Sequence, residues 1–128
     1  MTLSTRNARG VVANLFAADA RAQANIRSVV KSSGFRVQSR QKQLARVRTG
    51  FTRKAVKLRF TPDKLVYESG VSEEDYTAAG LEFYAPYLEW GTRFMDAHPF
   101  IFPPKAEEAP VFRRELNRAV RDAMRRAA

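Results

Sequence analysis

Apolar residues recur at spacings of three, four, seven and eight along the first third of the chain, at Val11, Leu15, Ala22, Ile26, Val29, Val37 and Leu44. That rhythm predicts an amphipathic helix from Ser4 to Leu44. Ser32-Ser33-Gly34 reads as a C-terminal cap that splits it in two, or as a segment the helix runs through at a cost of about 1 kcal/mol for the glycine. Unbroken, the helix would span about 60 Å, longer than so small a domain covers, and part of it would pack on another copy. From Arg53 to Thr61 the rhythm changes to alternation, with Val56, Leu58 and Phe60 on one face and Ala55, Lys57 and Arg59 on the other. This predicts a half-buried strand. Thr61-Pro62-Asp63-Lys64 reads as a turn with proline at its second position, and Leu65 to Val71 as the returning strand of a hairpin. Ser72 to Tyr76 is polar and reads as a solvated loop. Leu81 to Tyr84 is a candidate third strand, and Ile101 and Phe102 a short fourth. Pro103-Pro104 stops what precedes it, and Pro110 fits the first turn of a last helix that buries Phe112, Leu116, Val120 and Ala123. The predicted fold class is α+β, with a long N-terminal helix, a small antiparallel β-sheet and a C-terminal helix in one domain over residues 1–128.

Charge is distributed in blocks. Residues 1–60 hold 14 Lys or Arg against Asp19 alone, a local net charge of +13. Residues 61–112 reverse to −7, and the tail from Arg113 returns to +4. Blocks of opposite sign suit attraction to a polyanion and head-to-tail contact between copies; the plainer alternative is a set of solvated helix faces. Two basic stripes at helical spacing are candidates for a DNA-channel or inter-copy surface. One is Arg27, Lys31, Lys42 and Arg46; the other is Arg114, Arg118, Arg121 and Arg125.

The composition leaves little room for catalysis. Cysteine is absent, which removes thiol nucleophiles, thiolate metal sites and disulfides and suits a reducing cytoplasm. His98 is the only histidine, so a zinc site would draw its other ligands from carboxylates such as Glu89 and Asp96; a loop histidine beside aromatics is the ordinary reading. No nucleophile elbow, P-loop or dinucleotide fingerprint is present. The expectation is a non-enzyme with no cofactor, no metal and no catalytic residues. No stretch approaches about 18 consecutive apolar residues, and no basic head leads into an apolar run, so neither a membrane span nor a secretory signal is expected.

The densest landmark is residues 84–103, Y-A-P-Y-L-E-W-G-T-R-F-M-D-A-H-P-F-I-F-P. Its aromatics suit a core or a protein–protein interface better than a nucleic-acid stacking platform, because only Arg93 lies among them and the surrounding segment is acidic. Gly91 is expected to adopt a backbone conformation closed to other residues, and Glu89 to pair with a cation or remain a surface carboxylate. Tyr84, Tyr87, Glu89, Trp90, Gly91, Thr92, Pro99, Phe100 and Pro103, with Arg48-Thr49-Gly50 upstream where the basic segment ends, resemble the signature of the tail-completion, or neck, proteins of long-tailed bacteriophages. The resemblance runs from about Val11 to Val120. It implies a structural virion protein at the head-to-tail junction, made in the host cytoplasm and assembling as a homo-oligomeric ring around the DNA channel. One face would meet a head-closure or connector protein and the other the tail terminator or tail tube, with duplex DNA passing through without sequence preference. The nine signature residues would then form the docking interface. A small basic nucleic-acid-binding regulator is the alternative, although no helix-turn-helix or other reading module is visible.

Overall fold

A computed structural model of the chain describes residues 2–6, 20–45 and 50–127. Val11, Leu15, Arg46 and the Arg48-Thr49 half of the upstream landmark lie outside the described residues. The elements are β1 (Thr2–Arg6), α1 (Ala20–Leu44), α2 (Phe51–Ala55), β2 (Lys57–Phe60), β3 (Tyr67–Ser72), α3 (Glu73–Ala78), α4 (Ala85–Trp90) and α5 (Pro103–Ala127). The fold is α+β: a long N-terminal helix, a three-stranded antiparallel sheet in the order β1-β3-β2, and a long C-terminal helix.

α1 runs unbroken through Gly34 for about 38 Å. It buries Ala22, Ile26, Val30, Ser33, Gly34, Val37 and Gln41, a stripe of three- and four-residue steps. Gly34 is no cap. A Cβ there would meet Leu58 Cδ1 at 3.0 Å and Tyr67 Cγ at 3.2 Å, so the glycine lets the helix lie directly on β2 and β3. Tyr67 is buried with its hydroxyl accepting a hydrogen bond from Ser33 Oγ at 3.2 Å; burial pushes its titration up from the ordinary phenol range.

The hairpin stands, with β2 antiparallel to β3 and Lys57 opposite Gly70, Phe60 opposite Tyr67. Its turn is stapled by Thr61 N–H donating to Val66 O and by Asp63, which accepts from Leu65 N–H. β2 starts later than the alternation suggested, because Phe51–Ala55 winds into α2 behind left-handed Gly50 and turns Thr52 and Ala55 inward. The third strand is the N-terminal segment Thr2–Arg6, with Leu3 opposite Val71, and not Leu81–Tyr84. Ser4 therefore belongs to a strand, not to the first helix. Ser72–Tyr76 is the start of α3 rather than a loop. Ser72 Oγ accepts from Asp75 N–H, and Glu73, Glu74 and Asp75 fill the first turn, where carboxylates favour the helix dipole.

α5 begins at Pro103, so the proline pair opens the helix and Pro110 sits inside it. The N–H that Pro110 lacks leaves the Ala106 carbonyl without its helical donor, and Ala106 is exposed to water. α5 lies antiparallel to α1, clasped by Arg36, whose guanidinium donates to Glu108 at 2.7 Å and Glu115 at 2.8 Å, and by Arg40 against Glu107 at 2.9 Å. Those carboxylates hold the Arg36 guanidinium still more firmly protonated than usual. Two core clusters result. One gathers Ile26, Val30, Val37, Leu65, Tyr67 and Leu116 between α1, α5 and the sheet; the other gathers Leu3, Val56, Val71, Tyr76, Phe100 and Ile101 beneath the aromatic block.

Candidate functional site

The aromatic block folds into a short helix, a tight turn and an extended run into α5. In α4, Ala85 and Glu89, four residues apart, face inward, while Tyr87 and Trp90 face water. Gly91 ends the helix at φ 76°, ψ 179°, a conformation essentially restricted to glycine, and a Cβ there would stand 2.9 Å from both Ala97 N and Met95 O. The expected role of Gly91 follows from this geometry. Thr92 N–H donates to Met95 O at 2.9 Å and Thr92 Oγ1 accepts from Phe94 N–H at 3.2 Å, closing a turn with Phe94 at its tip. His98 N–H donates to Leu88 O at 2.7 Å, tying the returning strand of the loop to α4.

Glu89 is the keystone. It is 4% exposed, and its carboxylate accepts the N–H groups of Phe100 at 2.7 Å, Ile101 at 2.9 Å and Phe102 at 3.0 Å, on the doorstep of α5. The expectation of a cation partner or a surface position is corrected: the partners are three backbone donors that no helix or strand satisfies. The same hydrogen bonds explain why Ile101 and Phe102 form no strand. Gln41 of α1 completes the accounting by donating Nε2 to Ile101 O at 2.9 Å and Ser69 O at 3.1 Å, while Ser69 Oγ donates to Gln41 Oε1 at 2.7 Å. Sequence reasoning missed Gln41, although a polar residue four positions after Val37, on the apolar stripe, was its signal.

Beneath α4 sits Tyr76, fully buried, with edge-on contacts to Phe51, Phe83 and Tyr84 at 4.9–5.3 Å between ring centres. Its hydroxyl donates to Thr52 Oγ1 at 3.1 Å, which donates to Tyr84 Oη at 3.0 Å. Burial pushes the Tyr76 phenol up to about 12.

The nine signature residues thus divide. Tyr84, Glu89 and Phe100 build the support, Gly91, Thr92, Pro99 and Pro103 shape the backbone, and Tyr87 and Trp90 are presented to solvent. Trp90 is 59% exposed, Tyr87 56% and Phe94 90%, and Phe102 leans against Trp90 at 6.1 Å between ring centres. Arg93 stacks over the Phe94 ring at 5.6 Å.

The two basic stripes differ in their surroundings. Arg114, Arg118, Arg121 and Arg125 are exposed along the face of α5 opposite Leu116 and Ala123. On α1, Arg27 reaches Asp63 O in the hairpin turn, and Lys42 is half-buried, its carbonyl accepting from Arg53. Lys31 is exposed, and Arg46 lies outside the described residues. Part of the acidic middle of the chain is taken up by pairing or burial, while Glu73, Glu74, Glu82 and Asp96 stay exposed. Glu68 pairs with Arg6, Asp75 with Lys57 at 2.8 Å, Glu107 and Glu108 with α1 arginines, and Glu89 is spent on backbone. The Lys57 ammonium also holds the Asp75 carboxyl below its usual range.

Among the described residues no group of three His, Cys, Asp or Glu side chains is placed to hold a metal ion, and no helix is long and apolar enough to cross a membrane. The geometry sets exposed Tyr87, Trp90, Phe94 and Phe102 over a backbone held by Glu89 and Gln41. Compared with known protein families, curated proteins and solved structures, the chain matches none.

Proposed function

We propose that this chain is a structural protein of the phage head-to-tail junction, which assembles as a ring around the DNA channel and docks to its neighbours through the loop at residues 87–102. The observation that carries the reading is the contrast between the loop's outside and its inside. Tyr87, Trp90, Phe94 and Phe102 present aromatic rings to water, while Glu89 and Gln41 fix the backbone beneath them. An exposed cluster of large aromatics is costly in water and marks a surface that a partner covers. A backbone immobilised in advance spares the partner the ordering cost of binding. The signature residues shared in kind with the tail-completion proteins support the same reading, and arginines on α5 suit a wall beside duplex DNA.

The test is electron microscopy of lysates from the source phage or prophage with the gene interrupted, beside the complemented lysate. DNA-filled heads and unjoined tails, repaired by complementation, are expected. Normal infectious particles would refute the reading and promote a nucleic-acid-binding regulator. A complementing copy carrying W90A and F94S should fold but fail to restore joining, since both side chains point to water.

A further inference from the structure

We infer that the outer face of α5, with the groove it shares with α1, is a sequence-independent seat for the phosphate backbone of duplex DNA. Arg114, Arg118, Arg121 and Arg125 stand at steps of four, three and four residues, one exposed line about 16 Å long. Arg114, Arg118 and Arg121 have no carboxylate partner among the described residues, and Arg125 has only Asp122, at 3.9 Å. Arg118 also forms part of a shallow groove of about 390 Å³ between the two helices, whose α1 wall offers the small polar side chains of Asn25, Ser28 and Ser32. Arg21, exposed and one helical turn before Asn25, extends that wall with another cation. Of the groove's two carboxylates, Glu115 is engaged by Arg36, and Asp122 lies 3.9 Å from Arg125. The face therefore carries four arginines in a line against one nearby carboxylate, and its guanidinium forks suit phosphate oxygens.

The occupant follows from what the face lacks. Phe112, Leu116, Ala119 and Ala123 turn inward or lie half-covered, and Met124 is the one large apolar side chain of α5 exposed among the described residues, so α5 offers no continuous apolar ridge to insert into a lipid surface. No aromatic ring lies among the four arginines to stack an unpaired base. A duplex presents about one charge per 1.7 Å of its axis, dense enough for every arginine of the line to meet a phosphate. For the source of the duplex the inference rests on the head-to-tail reading; its test uses free protein and DNA, so a failure here leaves the lysate microscopy undecided, and the converse holds as well.

The experiment is fluorescence anisotropy of two unrelated labelled duplexes between about 50 and 200 mM salt. The expected slope of log affinity against log salt is about −4, near one unit per arginine engaged, and equal for both duplexes. R114S/R118S/R121S/R125S should flatten it by about three units, whereas K54S/R59S/K64S/K105S, which removes the same charge from exposed positions elsewhere, should keep it within about one unit. Replacement of the four arginines by lysine should preserve the slope and guards against a serine variant that fails to fold. Equal flattening in both serine variants would reduce the effect to net charge and overturn the inference. So would the absence of salt-dependent binding, a more than tenfold preference for one duplex, or tighter binding to phosphatidylserine vesicles than to DNA.

Discussion

Glu89→Gln probes the support of the docking loop with almost no change of shape. Glu89 Oε2 accepts from Phe100 and Ile101 and Oε1 from Phe102. The glutamine amide oxygen can keep the pair of donors, but its NH2 then faces the Phe102 N–H, donor against donor. A hydrogen bond to a charged acceptor contributes about 1.5–3 kcal/mol and a neutral one about 1, so the two retained bonds lose together about 1–4 kcal/mol. The orphaned Phe102 N–H adds about 1 kcal/mol, at the low end because Phe102 is partly exposed and water can reach it. The removed charge also stood at the N-terminus of the 25-residue α5, but the charge assistance already counted includes most of that effect. The expected cost is about 2–5 kcal/mol, or about 8–20 °C in Tm for a chain of this size. Urea unfolding followed by far-ultraviolet dichroism measures the global loss, and the fluorescence of Trp90, the only tryptophan and the next residue, reports the loop itself. Glu89→Ala strands all three donors and should cost roughly 4–6 kcal/mol, most of the margin of an ordinary domain, so the glutamine is the informative variant. A glutamine variant within about 0.5 kcal/mol of the parent would refute the argument, because the three hydrogen bonds would then not hold the loop.

Gly91→Ala should destabilise by about 2–3 kcal/mol, read as a lower urea midpoint, since the new Cβ meets two backbone atoms at 2.9 Å and the left-handed φ is strained for alanine. Gly34→Ala should lower Tm although alanine is the better helix former. The gain of about 1 kcal/mol in propensity is outweighed by about 1–3 kcal/mol of overpacking, because Tyr67 is fully packed and tied to Ser33 and cannot retreat; a higher Tm would refute this. The Tyr76 phenol, pushed up to about 12, is raised above its ordinary value of about 10, so its stability contribution is complete below pH about 10 and is lost as pH climbs towards about 12. Tyr67 acts in the same direction. Tyr76→Phe should be weaker by about 1 kcal/mol at neutral pH, where Thr52 loses its donor, yet show a shallower alkaline decline in urea titrations; parallel curves would overturn the assignment.

The elements legible in the sequence are those whose burial is periodic. The stripe Ala22, Ile26, Val37 and the alternation Leu58, Phe60 report helix and strand because one face of each meets the core. β1 was invisible because it contributes a single apolar side chain, Leu3, and is a strand only by pairing with β3 across 60 and more residues. The start of α5 was misplaced for a related reason. A proline pair reads as a stop or as a first turn with equal ease, and what decides is Glu89, which takes the N–H groups just upstream. α3 was legible and missed, since Ser72 three residues before Asp75 is a cap pattern. At the site, composition pointed to the right block, and Gly91 behaves as its type suggests. The division of the aromatics into buried Phe100 and exposed Trp90 and Phe94 was not legible, because identical rings serve either purpose until the backbone fixes which way each points.

Charge shows most sharply how packing rewrites composition. By sequence the middle of the chain is a block of −7, yet folding sets Glu68, Asp75, Glu107 and Glu108 against arginines and lysine from other elements and buries Glu89 against backbone. Opposite blocks therefore cross-link one copy in part, while Glu73, Glu74, Glu82 and Asp96 stay exposed. The pairing also leaves the arginine line of α5 exposed. Its first member lies 12 residues beyond Phe102, about 18 Å at helical rise, so the aromatic loop and the arginine line are joined by one helix but share no side chain. Substitutions at Trp90 and Phe94 should then abolish docking without changing the salt slope for DNA, and substitutions in the arginine line should do the reverse. Loss of both from either change would mean that the two surfaces are one.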